Sequence, residues 1–119
     1  MKRFFALAAI AATTLVLAYC SSAKKAAKAK QQEPKSTYAA HLSTVIQTSC
    51  APCHIPSKGG NKKAFDVYAN VKTDIDEMIR RIELNPTDKG FMPFRKTEKL
   101  PADVVAVFKK WKEDGMLEN

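Results

Sequence analysis

At 119 residues the chain has room for one domain at most. Its formal charge of +8 comes from 20 Lys and Arg against 12 Asp and Glu, but from Ser36 onward the count is 13 basic and 11 acidic residues, a net of only +2. The basic excess therefore sits in an N-terminal tail with no aromatics interleaved, which argues against a nucleic-acid partner.

Met1-Lys2-Arg3 is a basic start, and Phe4 to Tyr19 is apolar apart from Thr13 and Thr14. Those 16 residues fall short of the ~20 that a membrane span needs and suit the apolar stretch of an export signal. Residues 1–19 are read as a signal peptide, with an uncleaved membrane anchor as the alternative. Leu17-Ala18-Tyr19-Cys20 resembles a bacterial lipobox. That resemblance implies cleavage before Cys20 and lipid attachment to it, on the periplasmic side of a bacterial membrane. Ser21-Ser22-Ala23 offers an ordinary cleavage site instead, a route that discards Cys20. Residues 20–36 are rich in Ala and Lys, with Lys24, Lys25, Lys28, Lys30 and Lys35 against one Glu33. They read as a flexible tether lying over an anionic membrane surface, where each Lys contributes about 1 kcal/mol when close. Residues 37–119 are then the folded domain.

Helical periodicity starts at Ser36. Tyr38, Leu42, Val45 and Ile46 share one face, and Ser36 or Thr37 is placed to cap. This first helix runs to Cys50. His41 lies off its apolar face and reads as a solvated residue rather than a ligand.

The helix delivers Cys50-Ala51-Pro52-Cys53-His54, a C-x-x-C-H run of the kind that attaches a c-type haem. Two thiols three residues apart on one turn can each bond a vinyl group on the same haem edge. The following His54 is placed to supply the proximal nitrogen ligand. A thioredoxin-like disulfide would need a surrounding βαβ pattern, and none is present. A zinc site would need a second ligand pair, and the only other His and Cys are His41 and Cys20, both upstream.

Ile55 to Asn61, with Pro56, Gly59 and Gly60, is an irregular loop. The Pro56 carbonyl is a candidate to orient His54. Residues 64–69 form a candidate short helix, with Phe65 and Tyr68 available either to cover a haem face or to pack in the core. A clearer helix is expected from Thr73, capped by that residue and favoured by Asp74, Asp76 and Glu77 in its first turn. Its stripe is Ile75, Met78, Ile79 and Ile82, with Arg80 and Arg81 outside it, and it ends near Asn85-Pro86.

The loop from Asn85 to Leu100 carries Phe91-Met92-Pro93-Phe94. A thioether is a soft ligand for haem iron, and a loop can bring one to the metal where a packed helix cannot. Met78 fits a core stripe, Met116 follows Gly115 as a cap contact and Met1 is in the signal, so Met92 is the candidate sixth ligand. The last helix begins at Leu100-Pro101 and carries Val104, Val107, Phe108 and Trp111 on one face, read as core, before Gly115 ends it. No strand alternation of useful length is present. The fold class is all-α.

With these residues placed, Ser36 to Met116 resembles the class I, cytochrome c-like monohaem proteins. The matching parts are Cys50-Ala51-Pro52-Cys53-His54, the Met92-Pro93 pair 38 residues after His54, and the closing Trp111-Lys112-Glu113-Asp114-Gly115. The resemblance implies a small helical domain around one covalent haem c, with thioethers to Cys50 and Cys53, His54 and Met92 as axial ligands, and the first and last helices crossing. With both axial sites filled, the chemistry left to the iron is gain or loss of one electron, so the expected function is a monomeric electron carrier and not an enzyme. Lys58, Lys62, Lys63, Lys89, Arg95 and Lys96 flank the two ligand loops and are candidates to steer an acidic redox protein. The alternatives are a haem-based gas or redox sensor, if Met92 is displaceable, and, ranked last, an enzyme such as a peroxidase.

Overall fold

The computed structural model describes residues 33–119, so the signal, Cys20 and most of the tether lie outside the described residues. A π-helical turn, Tyr38–Leu42, runs directly into α1 (Ser43–Ser49). Thr37 is extended, and its hydroxyl accepts from the Ala40 amide at 3.3 Å. Its own amide donates to His41 Nδ1 at 3.0 Å, so the exposed His41 closes the cap. Leu42 and Ile46 are fully buried and Tyr38 nearly so, which is the face the periodicity marked out.

The middle of the chain departs from expectation. Residues 64–69 form no separate helix, and Thr73 starts none. One helix, α2, spans Tyr68–Glu83. Val71 extends the stripe of Ile75, Met78 and Ile82 one turn upstream and is itself fully buried, so burial rather than capping sets where the helix begins. The Thr73 hydroxyl donates back to the Ala69 carbonyl at 2.8 Å, as a mid-helix threonine does. Asp74, Asp76 and Glu77 are also mid-helix, where they pair with Lys63, Lys112, and Arg80 and Arg81.

The last helix, α3, spans Ala102–Glu113, with Pro101 just ahead of its first turn. Gly115 takes φ +100 and its amide donates to the Lys112 carbonyl, while the Met116 amide donates to the Trp111 carbonyl at 2.9 Å. This left-handed stop consumes two carbonyls that the helix end leaves open.

The tail then returns to the start of the chain. The Leu117 carbonyl accepts from the Tyr38 amide at 2.8 Å and from the Trp111 indole at 2.7 Å, and the Glu118 carbonyl accepts from the Ala39 amide at 3.0 Å. Ser36 donates its amide to Asp114 Oδ2 at 2.6 Å. The first donors of the opening helix, which have no partner within it, are thus satisfied by the C-terminus. Tyr38, Tyr68 and Trp111 meet edge-on beside this strap, with ring centroids 5.8–6.2 Å apart. The two tyrosine hydroxyls donate to the carbonyls of Phe65 and Met116.

The described residues hold three helices and no strand, an all-α fold, with one isolated bridge between Thr37 and Leu117. No described helix is long and apolar enough to cross a membrane. Pro34–Asn119 forms one unit, in which α3 packs on both α2 and the opening π-turn.

Candidate functional site

α1 ends by turning its chain back on itself. The Cys50 amide donates to the Ile46 carbonyl at 2.9 Å, and the His54 amide donates to the Cys50 carbonyl at 3.1 Å. Cys50 and Cys53 therefore stand on successive arms of one tight turn, both as free thiols, Cys50 half-buried and Cys53 exposed. Burial pushes the Cys50 thiol up to about 11, so at neutral pH it is a thiol and not a thiolate. Disulfide exchange and thiolate capture both need the anion, and Cys50 withholds its own.

The loop after the turn folds over it. The Lys62 amide donates to the Cys53 carbonyl at 3.0 Å, the Gly60 amide to the Ile55 carbonyl at 3.1 Å, and the Phe65 amide to the His54 carbonyl at 2.9 Å. Gly60 makes the close approach possible. A Cβ there would lie 2.2 Å from the Pro52 carbonyl oxygen and 2.6 Å from that of Cys53.

His54 is held by two contacts. Its Nδ1 lies 2.8 Å from the Lys63 carbonyl oxygen. A carbonyl only accepts, so Nδ1 carries a hydrogen, and the tautomer this selects has its free lone pair on Nε2. The ring also stacks on Phe65, with centroids 4.3 Å apart and planes 4° from parallel. The orienting carbonyl is thus that of Lys63 and not that of Pro56, which accepts from the Gly59 amide in the short 3-10 turn Pro56–Lys58. The Lys63 segment is pinned in turn: its ammonium meets Asp74 of α2 at 2.7 Å, and Asn70 donates to the neighbouring Ala64 carbonyl at 2.9 Å.

Met92 reaches the same place from the opposite end of α2. Its amide donates to the Arg81 carbonyl at 3.2 Å, mooring the loop to the last turn of that helix. The loop is closed on itself by Asp88, whose carboxylate accepts from the Asn85 amide at 2.8 Å.

Cys50, Cys53, His54 and Met92 all line one open cleft of about 930 Å³, mouth included. No family model, curated protein or solved structure matches the chain. The geometry of the cleft therefore stands alone. Its walls are mainly apolar, built from Met78, Ile82, Leu100 and Phe108. Phe65 lines it and Tyr68 does not. Phe108, read as core, is both buried and a wall, and the same holds for Met78, so the cleft contains two thioethers. Lys63, Asp74, Glu77 and Arg81 stand among the lining residues. Glu77 is drawn down to about 2 by its hydrogen bonds to Arg80 and then Arg81.

Four contributors were hidden in the sequence. Lys63 and Arg81 act through backbone carbonyls, which every residue possesses, so no side-chain signal marks them. Asp74 was legible only as a helix-start acid. Gly60 was legible as a loop glycine, and the Gly59-Gly60 pair was the one signal pointing to it. Of the basic residues flanking the loops, Lys63 is bound to Asp74 and Lys58 donates to the Gln47 carbonyl. Lys62, Lys89, Arg95 and Lys96 are exposed and have no ion-pair partner among the described residues.

Proposed function

We propose that this domain is a one-electron carrier holding one covalent haem c, in the manner of the cytochrome c-like proteins it resembles. The observation that carries the proposal is the gathering, in one apolar cleft, of a paired-cysteine turn, an imidazole with its outer nitrogen already committed, and a thioether on a loop. The residues fit the group. Cys50 and Cys53 would hold it by two thioethers, His54 through Nε2 and Met92 through its sulfur. The cleft is open at its mouth and lined mainly by apolar side chains, as a flat apolar group with one exposed edge requires. When bound, the haem supplies reversible one-electron chemistry at its iron.

The chain's part is to hold and to exclude. The Lys63 carbonyl and the Phe65 ring fix the imidazole plane. The Arg81 carbonyl fixes the Met92 backbone. Met78, Ile82, Leu100 and Phe108 keep water from the cleft wall and so bias the potential. A protein partner with an acidic face is the proposed donor or acceptor. Export, and tethering to a membrane through Cys20, complete the proposal.

The test is an intact mass and a pair of optical spectra, oxidised and reduced. The expected result is one porphyrin mass bound and an iron–sulfur charge-transfer band in the oxidised spectrum. Met92→Ala is expected to abolish that band and Met78→Leu to leave it. A colourless protein with free thiols refutes the proposal, and loss of the band in Met78→Leu instead moves the ligand to α2.

A further inference from the structure

Phe94 is 65% exposed, the more exposed of the two large apolar side chains that face solvent among the described residues. It is separated only by Pro93 from Met92, and both of those residues line the cleft. A lone exposed apolar side chain is ordinary. This one is accompanied by a second cost. Arg95 takes φ +63, a left-handed conformation that side chains with a Cβ adopt only at some expense. That conformation sets its guanidinium 5.2 Å over the Phe94 ring centroid. Neither side chain belongs to the core or the cleft wall, and within the tip the Lys96 amide donates to the Pro93 carbonyl at 3.2 Å. Among the described residues no core or cleft-wall contact covers this ring, which has the Arg95 guanidinium over it and is otherwise turned to water.

The surroundings indicate what would. Lys89, Arg95 and Lys96 are exposed, and no carboxylate among the described residues pairs with them. Of the two acids in the loop, Asp88 is committed to the Asn85 amide, leaving Glu98. The tip is therefore an exposed aromatic ring with an arginine over it, next in the chain to the cleft-lining Met92 and Pro93 and on a loop that also carries the exposed Lys89 and Lys96. Aromatic and arginine side chains dominate the energetics of protein interfaces, and a cationic rim speeds encounter with an anionic one.

We propose that Phe94 and Arg95 form the docking anchor for an acidic redox protein, whose apolar socket receives the ring and whose carboxylates meet Arg95, Lys96 and Lys89. This rests on the carrier function proposed above. A lipid headgroup surface would also accept a basic aromatic tip, but one ring buries little apolar area, and a membrane lying there would cover the cleft mouth.

The test is stopped-flow oxidation of the reduced, haem-loaded protein by two probes, ferricyanide and an acidic-faced cupredoxin. Phe94→Ala is expected to slow the cupredoxin reaction about tenfold or more, with the ferricyanide rate and the visible spectrum unchanged. Phe94→Tyr is expected to retain most of the rate, and Arg95→Gln to slow it and flatten its dependence on salt. Equal cupredoxin rates for wild type and Phe94→Ala overturn the docking proposal. So does equal slowing with ferricyanide, which would make Phe94 part of the haem environment. Loss of sedimentation with anionic vesicles in Phe94→Ala, at an unchanged cupredoxin rate, overturns it in favour of a membrane contact. A wild-type protein that ferricyanide cannot oxidise overturns the carrier function itself, which separates the two failures.

Discussion

Gly60→Ala should disable the turn that presents Cys53 and His54, and its cost follows from three distances. The added Cβ would meet Pro52 O at 2.2 Å, Cys53 O at 2.6 Å and Cys53 C at 2.8 Å. All three are backbone atoms, so no side chain can swing aside. The two backbone strands must part by about 1 Å to reach ordinary contact. Overpacking of this kind costs about 1–3 kcal/mol. Parting also stretches the Lys62-to-Cys53 and Gly60-to-Ile55 hydrogen bonds, now 3.0 and 3.1 Å long, at about 1 kcal/mol each. The total is about 3–5 kcal/mol, which for a domain of this size lowers the melting temperature by about 12 °C or more. Gly59→Ala is the control. Gly59 has φ +85 and nothing within 4 Å of its Cβ position, so alanine there suffers only the left-handed penalty of about 1–2 kcal/mol. Thermal melts of the two haem-loaded variants by far-ultraviolet circular dichroism should place Gly59→Ala between wild type and Gly60→Ala. If Gly60→Ala melts at or above Gly59→Ala, the close approach does not govern this turn.

Trp111→Ala removes a fully buried ring and leaves the Leu117 carbonyl one donor short, and a urea titration is expected to show a loss of about 3–5 kcal/mol. Asp114 is held below the ordinary carboxylate range by the Ser36 amide and then by Lys110, so it contributes stability that is present above the unfolded value of about 3.9 and is lost as pH falls through its lower folded value. Asp114→Asn should therefore be less stable than wild type at neutral pH and converge with it in strong acid, as read by urea midpoints across that range; parallel curves would contradict this. Asp74→Asn breaks a half-exposed pair with Lys63 and should cost less than about 1 kcal/mol, while the Lys62 amide, which donates to Cys53, exchanges its hydrogen faster; unchanged exchange would show that the pair does not pin the His54 loop. The Cys50→Ala, Cys53→Ala double variant should lose its cooperative thermal transition, and a sharp melt in that protein would show that the domain folds without an attached cofactor.

The chain made its site easier to read than its helices. The C-x-x-C-H run gathers two thiols and an imidazole on one turn that lines the cleft, so its whole signal lies in Cys50 to His54. Met92, singled out by elimination and by its proline-flanked loop, does line the cleft, but so does Met78, which the same elimination assigned to the core. The boundary of α2 was not legible. Thr73 with Asp74, Asp76 and Glu77 has the composition of a helix start, yet the buried Val71 and the edge-on packing of Tyr68 against Tyr38 and Trp111 extend the helix five residues upstream. Tertiary packing outweighed local capping there. The strap from Leu117 to Tyr38 left no trace at all, because both partners are backbone groups far apart in sequence. The contacts that orient His54 and Met92 were hidden for the same reason.

The two ends of the domain are built on different principles. Around Tyr38, Tyr68 and Trp111 every face has a protein partner: rings meet rings, hydroxyls and indole find carbonyls, and the tail closes the helix start. Around Met78, Ile82 and Phe108 the apolar side chains turn instead to a cleft whose far side is the Cys50–His54 turn. α2 packs on α3 and the π-turn packs on α3, but α1 and α2 share no extensive contact. A domain of fewer than 90 described residues has little core to spare, since small folds bury a low fraction of their surface. Leaving an apolar cleft between two helices would squander that fraction unless something apolar and flat completes it. A haem bonded to Cys50 and Cys53, as proposed above, would enter from the turn that forms one side of the cleft, and filling the cleft would stabilise the fold by the contacts that cover the group. On this account the aromatic end keeps residual contacts when the proposed cofactor is missing, while cooperative folding and the order of the cleft end depend on its attachment. Hydrogen exchange on haem-loaded protein and on the double cysteine variant should show the largest loss of protection in α2 and in residues 85–100. Uniform loss across both ends would mean that the domain has no such division.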